Sequence, residues 1–92
     1  MRLMLKFTIP VEKGNQAERD GSLGKAIEAL VKGVNAEAAY FALEHGKRMG
    51  IVIFEESDQA HMPKINEPLF AALNANIEIQ PVLTAEDLQR AL

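Results

Sequence analysis

The chain has 92 residues, 48% hydrophobic and 25% charged, with 13 acidic side chains against 10 basic ones and a formal net charge of −3. This length suits one domain over residues 1–92, burying roughly 60–65% of its unfolded surface, and the acidic balance argues against nucleic acid as a partner, which calls for a basic stripe. With no cysteine, the chain has no disulfide, thiolate nucleophile or cysteine-ligated metal.

Leu3, Leu5, Phe7 and Ile9 alternate with Arg2, Met4, Lys6 and Thr8, and a period of two predicts a strand with one buried face. Pro10 closes it. The same stretch is too short and too interrupted by charge for a signal peptide or a membrane span, so the expected compartment is the cytoplasm. The polar segment VEKGNQAERDG, residues 11–21, reads as a loop. Ser22 is placed to cap a helix, in which Leu23, Ala26, Ile27, Leu30, Val31 and Val34 form one apolar stripe. Glu28 and Lys32 pair on its outer side, and Gly33 and Asn35 end it. The segment RDGSLGK resembles a phosphate loop only superficially: Arg19 stands where that motif needs its first Gly, and Ala26 where it needs Ser or Thr. What remains is a helix N-terminus able to hold an anion weakly.

Residues 37–57 read as a hairpin. Phe41 and Leu43 share one face, Tyr40, Ala42 and Glu44 take the other, and HGKR forms the turn, with Gly46 free to adopt positive φ. MGIVIF suits a central strand. Beyond it, Met62, Ile65, Leu69 and Leu73 have helical spacing, capped by Ser57 or Asp58. Pro68 argues either for a kink or, the preferred reading, for a break with Asn66 capping a second short helix that holds Glu67 and Pro68 in its first turn. Ile77 and Ile79 alternate with Glu78 and Gln80 in a last strand, which Pro81 assigns to a sheet edge. Thr84 and Asp87 then open a short helix through a capping box.

The order β-α-β-β-α-β with a short C-terminal helix predicts an α+β, ferredoxin-like fold: an antiparallel four-stranded sheet of order 4-1-3-2 with its helices on one face. Leu3, Leu5, Phe7, Ile9, Phe41, Leu43, Ile77 and Ile79 are the expected core face. Met4, Lys6, Thr8, Tyr40, Ala42, Glu44, Glu78 and Gln80 face the other way, together with one set from the third strand.

With this element order, and with the segments PVLTAEDLQ and EPLFAALN, the chain resembles small bacterial proteins of the dimeric α+β-barrel group, whose own reaction is not established. The resemblance implies a homodimer formed through the open sheet faces, with a cavity in each half. Neighbouring families of that fold include antibiotic-biosynthesis-type monooxygenases, haem-degrading enzymes and muconolactone isomerases, though shared fold is weak ground for shared chemistry. Cofactor-free oxygenases of this kind use Trp and Asn beside the substrate. Here Trp is absent, and the Asn residues fall in loops and helix ends.

Candidate cavity-lining residues are Lys6, Tyr40, Glu44, Glu78 and Gln80, because burial could tune a Lys or Glu there toward proton transfer near neutral pH. The plainer expectation is a cross-strand Lys6–Glu78 ion pair. His45 reads as a turn residue and His61 as a solvated first-turn residue. No histidine or carboxylate spacing marks a metal site, and no cofactor is implied. Two functions stay open on these residues. One is a structural or small-ligand-binding dimer. The other is a cofactor-free isomerase or monooxygenase acting on a small organic molecule.

Overall fold

The computed structural model describes residues 1–92. Strands β1 (Arg2–Ile9), β2 (Ala38–Glu44), β3 (Lys47–Glu55) and β4 (Asn76–Pro81) form one sheet of order β2-β3-β1-β4, antiparallel throughout. Read from the other edge, this is the predicted 4-1-3-2. Helices α1 (Val11–Asp20), α2 (Ser22–Gly33), α3 (Met62–Leu73) and α4 (Ala85–Ala91) complete the chain.

The alternation in β1 is realised residue by residue. Leu3, Leu5, Phe7 and Ile9 are buried, and their even-numbered neighbours are only half-buried. Cross-strand register extends that buried face to Val52 and Phe54. Leu23 and Leu30 from α2, Leu69 and Leu73 from α3, and Ala17 from α1 complete the core against it. At about 25 cal/mol per Å² of apolar area, this layer is the main stabilising term.

Residues 11–21 are not a loop. Pro10 closes β1 as expected and also caps α1, its carbonyl accepting the Gly14 N–H. Gly14 and Ala17, three residues apart, are the buried side of α1. A Cβ on Gly14 would stand 2.7 Å from Arg48 Nη1, so only glycine fits against that side chain as it lies. Gly21, at φ 81°, breaks the chain direction between α1 and α2. Ser22 is therefore the first residue of α2 rather than its cap. Asp20 Oδ1 accepts the Ser22 N–H and occupies the place an external anion would need.

Pro68 lies inside one continuous α3, where a break was expected, and Asn66 caps nothing. Pro68 and Lys64 are both exposed, so the Lys64 carbonyl, deprived of its helical donor, can bond to water. A short 3₁₀ turn at Gln59–His61 leads into α3, with Asp58 Oδ1 accepting the Ala60 N–H.

The burial expected for Phe41 and Leu43 does not occur, although they point to the helix side of the sheet. Phe41 is opposite Gly50, which is opposite Phe7. A Cβ on Gly50 would approach within 2.5 Å of the Phe7 ring and 3.1 Å of Phe41, so the missing side chain is what lets both rings lie across β3. The helices nevertheless stop short of this end of the outer strand, and Phe41 stays 54% and Leu43 71% exposed.

Candidate functional site

The open face is set by the even-numbered register. One row runs Glu78–Lys6–Ile51–Tyr40, its neighbours Gln80–Met4–Ile53–Ala38 and Asn76–Thr8–Met49–Ala42. The strand-three set is thus Met49, Ile51 and Ile53. The core helices pack on the opposite face, so these three and Met4 form a half-buried apolar centre.

Lys6 stands in that centre and gathers two carboxylates. Its Nζ lies 2.5 Å from Glu44 Oε1 and 3.7 Å from Glu78 Oε2. The predicted Lys6–Glu78 pairing is present but is the longer contact, and the closer partner reaches Lys6 from across β3. The close contact with Glu44 raises the Lys6 pKa above its ordinary value against an opposing effect of desolvation, with the charges of Glu44 and Glu78 adding to the rise. The reciprocal contact with Lys6 lowers Glu44, where desolvation again opposes. Both groups are therefore held in their charged forms around neutral pH. Tyr40 is 66% exposed and separated from Lys6 by Ile51, and Gln80 is exposed one row away. Of the five candidates, the structure brings together Lys6, Glu44 and Glu78. It leaves Tyr40 and Gln80 on the same face at a distance.

The histidines serve local structure. His45 and Gly46, at φ 50° and 77°, form a two-residue turn with positive φ at both positions. His61 Nδ1 lies 2.7 Å from Glu56 Oε2 and lowers the Glu56 pKa. That carboxylate also accepts the Ser57 and Asp58 N–H groups, fixing the turn into α3. No group of three or more histidine and carboxylate side chains converges as metal ligands would.

A second cluster, absent from the sequence reading, sits at the Arg2 end of the sheet. Arg2 Nε donates to Glu37 Oε1 at 3.0 Å and Arg2 Nη1 to Asp87 Oδ2 at 2.9 Å. The Thr84 capping box holds Asp87 in place, and its hydrogen bonds from Thr84, with help from Arg90, lower the Asp87 pKa. The alternation of β1 foretold on which face Arg2 lies, but its partners come from residues 35 and 85 positions away.

Two surface hollows lie away from the Lys6 and Arg2 groups. One, of about 470 Å³, lies between the start of β1 and the turn before α3; the other, of about 840 Å³, runs between α2 and α3. Neither includes the Lys6 cluster.

Fold and site together define an α+β protein of the ferredoxin-like class whose sheet keeps one face free of core helices. The family model for DUF3303, a domain of unknown function, matches the whole chain, residues 1–92, and the protein belongs to that family. Comparison with curated proteins gives no match. No helix is long and apolar enough to cross a membrane.

Proposed function

We propose that the chain acts in the cytoplasm as a homodimeric α+β barrel, a structural or small-ligand-binding module built by packing two open sheet faces together. The observation that carries this reading is the apolar centre Met4, Met49, Ile51 and Ile53, on which no core helix packs. A second copy brings the same surface, as a two-fold interface requires. The ligand suited to such a space is a small, mainly apolar molecule with one polar handle for the Lys6–Glu44–Glu78 group. The charge states of Lys6 and Glu44 favour this module over a proton-transfer enzyme, because each is shifted away from neutrality.

Light scattering at micromolar concentration tests the assembly, with a dimer mass expected; a monomer overturns the barrel. Replacing Met4 by Asp is expected to dissociate or unfold the dimer, whereas Gln59→Ala, on the exposed turn before α3, leaves it intact. A thermal-shift series with aromatic acids, lactones and haem tests for a ligand, since only a molecule that binds the folded state raises the melting temperature.

A further inference from the structure

Two parts of the molecule project from its core, and both expose large apolar side chains. At one end of the sheet, the β2–β3 hairpin exposes Tyr40 on one face and Phe41 and Leu43 on the other. Its outer strand β2 also has a free edge, the kind of surface that folded proteins normally cover. At the opposite end, α4 and the residues leading into it expose Leu83 (66%), Leu88 (50%) and Leu92 (90%). The Arg2–Asp87 bond and the Val82 N–H to Arg2 carbonyl bond tether this segment to the sheet. The radius of gyration, 14.0 Å, exceeds the roughly 12 Å of a compact chain of this length, as two projecting ends require.

The two ends cannot meet within one molecule. Arg2 pairs with Glu55 and Ile9 with Arg48, so seven residues, about 24 Å of strand, separate the tether from the hairpin tip. A seven-residue helix spans only about 10 Å.

We propose that residues 82–92 form an exchange arm, which docks on the β2–β3 hairpin tip of a second copy of this chain. The proposal rests on the dimer reading and names its reciprocal contact, hairpin to arm and arm to hairpin, as two-fold symmetry demands. Charge supports the match: docked in this way, Glu86 of the arm, 3.7 Å from Arg90 in its own helix, stands against the exposed Lys47 beside the tip. Size supports it too. Four strands about 4.8 Å apart and about eight residues long outline a small face, about 500 Å² in plan, and the arm enlarges the contact that such a face can make.

The cysteine-free chain permits a direct test. Leu88→Cys chains are mixed with Leu43→Cys or Tyr40→Cys chains, allowed to exchange subunits, and treated with a short bis-maleimide. A covalent dimer in the mixture, several-fold above either variant alone, is expected. If the mixtures give no excess while Ile51→Cys cross-links to itself, the sheet faces pair but the arm is not exchanged. If no variant cross-links and light scattering returns a monomer, both the arm and the dimer fall. A full-length Leu83→Asp/Leu88→Asp variant with unchanged circular dichroism is expected to raise the dimer dissociation constant by roughly tenfold or more; an unchanged constant overturns the arm.

Discussion

The two faces of one sheet are made by the same four strands, and they have opposite characters. On the helix side, Leu5, Phe7, Val52 and Phe54 are at most 1% exposed, and each packs against helix or strand on every side. On the other side, Lys6, Ile51 and Ile53 alternate with those residues but are only half-buried, and the charged group of Lys6 keeps its partners within reach. The difference comes from what crosses each face rather than from strand propensity, because β-branched residues occur on both. One face is covered within the chain everywhere but at the β2 end, where Phe41 and Leu43 stay exposed. The other is a surface that a second body can complete.

Substitutions of large residues should separate the two faces most clearly. Phe54→Ala is expected to cost about 3–5 kcal/mol in urea unfolding, through lost transfer energy and a cavity. Ile51→Ala should cost much less at concentrations where the chain is monomeric, and should gain a concentration dependence where it dimerises. Equal costs at high dilution would mean that the open face is already packed within one chain. Gly50→Val comes next, because its new Cβ must displace the Phe7 ring; overpacking of this kind costs about 1–3 kcal/mol, read from the melting temperature. Removing the α4 cap by Thr84→Ala should cost about 1 kcal/mol and chiefly loosen residues 82–92, visible as faster amide exchange there and unchanged exchange in β1.

The smallest effect is in the acid range. Asp87 and Glu44 both have lowered pKa values, so their contributions are present above the ordinary carboxylate range and are lost as pH falls through the lowered values. The stability difference between the natural chain and Asp87→Asn should therefore shrink below about pH 4. A difference that stays constant down to pH 2 would detach Asp87 from the charge network.

Much of this architecture was legible because local pattern and tertiary outcome agree. The period of two in β1, the apolar stripe of α2 and the Thr84–Asp87 capping box each specify one structure. Helix α1 was hidden because its buried side consists of Gly14 and Ala17, which carry almost no hydrophobic signal, and because Pro10 can end a strand or begin a helix equally well. The unbroken α3 was hidden because the cost of Pro68 depends on whether the orphaned carbonyl meets water, which is a fact about exposure. For Phe41 and Leu43, alternation assigned the correct face, but burial depended on how far the helices reach. The candidate site was half legible. Alternation placed Lys6, Glu44 and Glu78 on one face, whereas the preference of Lys6 for Glu44 depends on strand order and side-chain reach, which no single segment encodes.

The first strand of the chain is a middle strand of the sheet. β1 pairs with β3 along Arg2–Ile9 and with β4 from Leu3 opposite Pro81 to Thr8 opposite Asn76. During synthesis it emerges before both of its neighbours, the second of which begins only at Asn76. The sheet therefore cannot be completed until residue 81 has emerged, and a nascent chain arrested before β4 carries an apolar strand with an unpaired edge. A chain stalled there presents the unpaired strand edge and apolar surface that invite aggregation.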